Sequence, residues 1–246
     1  MTQLQYTEVF DKRGQSYHRA MRRFPAARAE EFRQAIRRAG LVPGMRVADV
    51  PAGGGYLRGF LPRGCTWHGH EPSAGFSLHG DDTRSSAGAT LVPLPWPSDD
   101  MDAAISIAGV HHTTDKPALF AELRRVTGPG GRFVLSDVDS GSPQAYFLDG
   151  FVDAHNGTGH RGLYLDETTE RELADSGWQP ISSELVRFHW VFGDRDELAA
   201  FCRDLFGLRD VAAGDIIEAI KNQLGIDDLD GGRVGMRWAL RTITAA

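Results

Sequence analysis

Between Asp49 and Gly55 the chain reads Asp-Val-Pro-Ala-Gly-Gly-Gly, a carboxylate followed closely by three consecutive glycines. Glycines let a backbone come close to a ligand and expose amide N–H groups where a helix begins. Glu71 stands 18 residues after Gly53, where a carboxylate can accept both hydroxyls of a ribose. In that order the three features point to a nucleoside-containing cofactor. A second set is His111, His112 and Asp137. An imidazole oriented by a carboxylate is held in one tautomer and can take a proton from a hydroxyl; the alternative is that either histidine only braces a turn. His68 and His70, two apart beside Glu71, would share one strand face. No third ligand at a recognised spacing accompanies them, so no metal is expected and packing near a sheet accounts for both. His155 and His160 flank the loop sequence Asn-Gly-Thr-Gly (156–159) with Asp153 close by. Substrate contact and a plain surface loop are both open readings there.

The elements that must position these residues alternate. Residues 26–39 read as an amphipathic helix, with Pro25 at its start, Phe32, Ala35, Ile36 and Ala39 on one face, and Gly40 as its stop. MRVADV (45–50) is a strand, the glycine turn follows, and YLRGFL (56–61) is a short helix. CTWHGHE (65–71) is strand two, ATLVPL (89–94) strand three, and MDAAISIAGV (101–110) strand four. Strand four is nearly all apolar or small, as burial on both faces requires. DKPALFAELRRV (115–126) is a helix that Asp115 can cap, and RFVLSDV (132–138) is strand five. Thr169 with Glu172 fits a capping box. Residues 181–192 and 234–244 are late strands separated by helices over 194–207 and 214–224. This pattern predicts a single-domain α/β fold, a Rossmann-like doubly wound, mostly parallel seven-stranded sheet with an antiparallel last strand and helical cap insertions. Ligands of such sheets sit beyond the C-terminal ends of the strands, at the switch point.

Composition narrows the function further. The 246 residues carry a net charge of −6. Residues 1–46 nevertheless hold ten Lys/Arg against four Asp/Glu, so the negative charge belongs to the remainder. An acidic body does not suit nucleic acid; the basic segment suits an acidic small molecule or the protein's own acidic face. No run of about 18 apolar residues or signal-like N-terminus is present, and the two cysteines form no CxxC motif. A cytoplasmic protein without membrane or nucleic-acid partners is expected.

Five segments, taken in order, are similar to those of class I S-adenosylmethionine-dependent methyltransferases: VADVPAGGGYL, GHEPS, LPWPSDDMDAAIS, AGVHHTTDKPALFAELRRV and GPGGRFVLSD. They span roughly residues 42–140. Within the class they most resemble the small-molecule group with an HH…D turn after strand four and PGG before strand five. The resemblance implies S-adenosylmethionine as cofactor. It places Asp49, Ala52 and Gly53 against the methionine part, Glu71 at the ribose, the Thr90–Leu91 turn beside the adenine and Ala108 beneath the sulfonium. An N-terminal helical arm (1–41) would fold over the cofactor, directing Tyr17 and Arg13 to the methionine end or to an acidic substrate. Core 42–140 binds the cofactor, and insertions 141–165 and 193–230 choose the acceptor. Tyr146, Phe147 and Phe151, at helical spacing, could wall an aromatic pocket or simply pack; His155 and His160 fall in the same insertion. In some sugar-modifying relatives the first His of the HH turn and the Asp after strand five act as a base pair, the places of His111 and Asp137. Two positions depart from the family: Pro51 replaces its first glycine, and Thr90 stands where a carboxylate is frequent.

The leading expectation is methyl transfer to O or N of a small molecule, with the oligomeric state left open. A nicotinamide-dependent oxidoreductase conflicts with Pro51 and with the segments after strands four and five. A catalytically silent cofactor-binding subunit is compatible with Pro51 and Thr90, but Glu71, Gly53, Gly55 and the HH turn favour a working site.

Overall fold

A computed structural model describes residues 6–77, 86–87 and 90–246. The strands are β1 (Arg46–Asp49), β2 (Thr66–Glu71), β3 (Ser86–Ala87), β4 (Ala103–Ile107), β5 (Arg132–Asp137), β6 (Pro180–Phe192), β7 (Ile226–Asp228) and β8 (Val234–Ala245). Seven of them run in the order β3-β2-β1-β4-β5-β8-β6. Pairings from β3 to β5 are parallel, and β8 is antiparallel to both of its neighbours. The short β7 pairs with Val234–Met236 of β8, along the edge that β5 uses further on.

Both faces of the sheet are covered, which explains why the middle positions of its central strands are apolar. Successive side chains point to opposite faces. Thus Val47, Ile105 and Val134 join one core with α2 (Ala29–Ala39) and α8 (Arg195–Phe206). Their neighbours Ala48, Ala104, Phe133 and Leu135 join the other, with Leu119, Leu123 and Val126 of α4 (Lys116–Thr127). Asp115 caps α4 as its sequence predicts, accepting the Ala118 N–H at 3.0 Å.

The strand order turns between β1 and β4, and the crevice above these two strands is roofed by cap elements. α1 (Tyr6–Arg23) lies against α3 (Ala74–Ser77) and α8. α5 (Pro143–Phe147) continues through a π-helical turn (Leu148–Val152) into α6 (Asp153–His155). α7 (Thr169–Asp175) packs on α4, and α9 (Ala213–Gln223) on α8.

Several boundaries differ from the sequence reading. The expected strand over 89–94 is replaced by β3 at 86–87; residues 90–94 are irregular, and residue 89 lies outside the described residues. α2 starts at Ala29, after a turn containing Pro25, because the chain must bend there to leave α1. The Thr169–Glu172 capping box does not form: Thr169 is already inside α7, and its hydroxyl accepts the Asp166 N–H at 3.1 Å. β7 was not anticipated, since three residues carry too little pattern to read.

Candidate functional site

Asp49 ends β1 and Glu71 ends β2, side by side at the crevice. Both are buried. Asp49 accepts the Trp67 indole N–H at 2.9 Å. Burial pushes its carboxyl up to about 8, the indole opposing the shift. Glu71 accepts N–H bonds from Gly53 at 2.6 Å and Ser73 at 2.7 Å, and the Tyr6 hydroxyl at 2.8 Å. Burial pushes it up to about 7, against those three donors. Gly53 has φ +53°, a conformation that L side chains rarely adopt. Beside it the Pro51 ring packs on Gly109, where a Cβ would come within 2.5 Å of the ring's Cγ. Asp49, Pro51, Ala52, Gly53, Tyr56 and Ala108 line one cavity, which Tyr6, Phe10 and Tyr17 of α1 close.

A second cavity adjoins it, sharing Phe10, Tyr17, Arg28 and Ala108. One end is aromatic: Trp190 of β6 and Trp238 of β8 stack with ring centroids 4.3 Å apart, beside Phe206 of α8. The other end carries His111, His112, His160 and Arg13. The His111 Nδ1 lies 2.6 Å from Asp137 Oδ1. Asp137 also accepts the amides of Val110, His111 and Val138. Burial pushes the Asp137 carboxyl up, but His111 and these amides outweigh it and hold it below the ordinary carboxylate range. The His160 Nδ1 lies 3.2 Å from Asp149 Oδ1 on the π-helical turn; burial pushes His160 down to about 4 despite that carboxylate. Burial and the nearby His111, His160 and Arg13 also push His112 down.

The two arginines of this cavity differ. Arg28 is bonded to the fully buried Glu31 and to the Tyr17 hydroxyl, and Glu31 also accepts the Trp190 N–H at 2.7 Å. Arg13 is equally buried but donates only to the Leu205 carbonyl, at 2.9 Å, and its Nε is unsatisfied. Among the described residues no carboxylate pairs with it. Burial pushes it down to about 10, which leaves it charged at neutral pH. A buried charge without a counter-charge is costly, so this cavity suits an anionic group.

The cavities measure about 40 and 50 Å³, well below the several hundred Å³ of a small-molecule site. α1 forms part of both walls.

Of the residues singled out in the sequence, Tyr17, Asp49, Ala52, Gly53 and Ala108 meet in the first cavity, with Glu71 bonded to its rim. Arg13, His111 and His160 meet in the second, with Asp137 behind His111. Thr90 and Leu91 line a neighbouring groove that reaches Tyr6 and Asp115. Two residues lie apart from both cavities. Tyr146 is 70% exposed, because the core-facing positions of α5 are taken by Ala145 and Phe147. His155 packs at a tilt against Phe151, with ring centroids 4.8 Å apart, and lines neither cavity. His68 and His70 pack edge-on to Trp96. The sequence reading missed Tyr6, Phe10, Arg28, Glu31, Phe206 and Asp149. Tyr6, Phe10, Arg13 and Tyr17 do fall on one helical stripe, a signal that was available.

Comparison with known proteins agrees with this geometry. Residues 48–135 match the methyltransferase domain family. A 2-phytyl-1,4-naphtoquinone methyltransferase of Synechococcus elongatus is 30% identical over 119 residues, 43% of this chain and 51% of the relative. A ubiquinone/menaquinone biosynthesis C-methyltransferase of Burkholderia orbicola is 28% identical over 142 residues, 53% of this chain and 54% of the relative. The chain thus spans about half the length of the curated relatives it matches. The crystal structure of geranyl diphosphate C-methyltransferase from Streptomyces coelicolor superposes with a TM-score of 0.57 at 16% identity, over 93% of this chain and 82% of that one. Residues 48–135 are thus similar to the methyltransferase domain family, and the fold around them is shared with a solved methyltransferase.

Proposed function

We propose that this chain transfers the methyl group of S-adenosylmethionine to a small, flat acceptor carrying an ionisable oxygen, with O or N as the methylated atom. The observation that carries this reading is the meeting of two chemically distinct cavities at Ala108, the acidic one behind the glycine turn and the basic, aromatic one behind His111. The acidic cavity fits the cofactor. Two buried carboxylates with raised pKa, at adjacent strand ends, are what vicinal hydroxyls and a ligand's positive charge would satisfy. Asp49 and Gly53 would hold the methionine end and Glu71 the ribose, with Thr90 and Leu91 at the adenine side. When bound, S-adenosylmethionine supplies a methyl group already activated as a sulfonium.

The chain's own residues then position and deprotonate. Asp137 engages the His111 Nδ1, leaving the opposite nitrogen to take the acceptor's proton. Arg13 pairs with an anionic group of the acceptor, and Trp190 and Trp238 take its flat body. α1 excludes water from both cavities. The quinone-pathway relatives are named as methylating ring systems, which suits this aromatic wall. Ionising a ring hydroxyl activates its oxygen and also the ring carbons conjugated to it, so the same base serves the carbon transfer for which one relative is named. The free thiols Cys65 and Cys202 suit a reducing cytoplasm, and the acidic body argues against a nucleic-acid acceptor.

The test supplies methyl-labelled cofactor with hydroxylated bicyclic aromatic acids and their neutral analogues, after calorimetry with S-adenosylhomocysteine. Tight binding and label transfer to the acids are expected. Absence of cofactor binding overturns the reading. Binding without transfer to any acceptor, neutral ones included, favours a silent binding subunit.

A further inference from the structure

We infer that His111, His112 and His160 form a site for one borderline divalent transition-metal ion, of the zinc or iron(II) type, inside the aromatic cavity. In sequence the three show no metal-binding spacing; the fold assembles them. One ligating nitrogen from each lies within 4.8 Å of the others, and all three are buried. Their ring centroids are 4.1, 5.2 and 5.7 Å apart. Three imidazoles on one ion, with metal–nitrogen bonds of about 2.0–2.1 Å, place their centroids about 5 Å from one another. The nitrogens, now within 4.8 Å of one another, would draw closer around the ion.

The surroundings are those of a metal centre as well. Histidines that bind metal generally donate their other ring N–H to a carboxylate, which fixes the ring and strengthens the donor. Asp137 stands on the Nδ1 of His111, and Asp149 on the Nδ1 of His160. Asp149 is itself fixed by the Tyr164 hydroxyl at 2.5 Å and the Gly162 amide at 3.0 Å. The His160 backbone is pinned by Asp153, which accepts its N–H at 2.7 Å. His112 has aromatic neighbours on two sides and no hydrogen-bonded partner among the described residues.

The carboxylates of Asp137 and Asp149 back two of the imidazoles, while Lys116 faces Asp137 and Arg13 faces His160 and His112. Arg28 is already neutralised by Glu31. An anionic group beside the ion would offset the charge of Arg13. Three nitrogen donors suit Zn²⁺, Fe²⁺, Co²⁺ or Ni²⁺, whereas Mg²⁺ and Ca²⁺ require oxygen. Three protein ligands also leave a coordination position open, as in catalytic rather than structural sites. An acceptor oxygen could take that position. With the ion in place the His111 lone pair is committed to it, so the metal-holding and proton-accepting states of His111 are alternatives.

Ion binding rests on the proposed function only for the identity of what occupies the open position. The test therefore strips the full-length protein with a chelator, titrates it with Zn²⁺ or Co²⁺, and reads bound metal by elemental analysis and Co²⁺ by its visible spectrum. About one ion per chain is expected. His160→Gln and His112→Gln should each weaken binding at least about 100-fold. Asp149→Asn, which keeps all three imidazoles, should weaken it about 10–100-fold. S-adenosylhomocysteine affinity should stay within about twofold in every variant that folds. Wild-type protein that binds the cofactor product but no ion overturns the site, as does ion binding indifferent to His160→Gln and Asp149→Asn. Loss of cofactor binding in the wild type overturns the methyltransferase reading instead, and leaves the metal measurement standing.

Discussion

The two cavities share a wall but differ in how the chain builds them. Asp49, Pro51, Ala52, Gly53, Tyr56, Ile107 and Ala108 of the acidic cavity fall within sixty residues, most at strand ends or in the turns that follow. The basic, aromatic cavity draws Arg13 from α1, His111 and His112 from the turn after β4, and His160 from a loop after α6. Trp190, Phe206 and Trp238 come from β6, α8 and β8. The first arrangement is dictated by the parallel sheet, which brings successive strand ends to one crevice whatever lies around it. The second depends on how the insertions pack. A shared fold therefore fixes the first cavity, while the second is free to vary.

Single substitutions should separate the two halves. The largest effect belongs to His111→Ala, which should lower kcat by about 100-fold or more while S-adenosylhomocysteine binds as before; near-normal kcat would reduce His111 to a brace for the turn. Next is Arg13→Leu. It should raise KM for an anionic acceptor by about 10–100-fold, the loss of a charge-assisted hydrogen bond of about 1.5–3 kcal/mol, and leave KM for a neutral analogue within a few-fold. Equal losses for both would mean that Arg13 packs rather than reads charge.

On the acidic side, Glu71→Ala should weaken S-adenosylhomocysteine binding by about 1–3 kcal/mol, and unchanged affinity by calorimetry would move the ribose elsewhere. The smallest effect concerns pH. The Asp49 carboxyl is raised from 3.8 to about 8. Its contribution to the stability of the ligand-free protein is therefore present below the unfolded value and is lost as pH rises through the folded one. Asp49→Asn should match the wild type in Tm below about pH 4 and exceed it by an amount that grows up to about pH 8 and then levels off, at about 2–4 °C for each kcal/mol. A constant difference across that range would show that Asp49 ionises without cost.

The contrast also explains what the sequence could tell. The strand–turn–helix unit around Gly53 was legible because a carboxylate, a run of glycines and a second carboxylate keep a fixed order along the chain. The pairing of His111 with Asp137 was legible for a related reason: β4 and β5 are neighbours, so their ends must meet. His160 was only one of two histidines in a loop, and nothing in the sequence separates it from His155. The difference arises from the π-helical turn, where Asp149 pairs with His160 while His155 is left to pack at a tilt against Phe151. Tyr6 and Phe10 lay on a readable helical stripe, but only the docked helix shows that the stripe faces the donor cavity. Arg13 and Arg28 look alike in a basic segment; buried Glu31, three residues after Arg28, makes one a strut and leaves the other unpaired.

Pro51 occupies the place where related enzymes keep a glycine, and its ring fills the space above Gly109 that a β-carbon would need. The two positions are thus bound together in descent as well as in space. An alanine cannot appear at 109 while proline stands at 51, whereas proline can give way at 51 while 109 is still glycine, leaving only a small void.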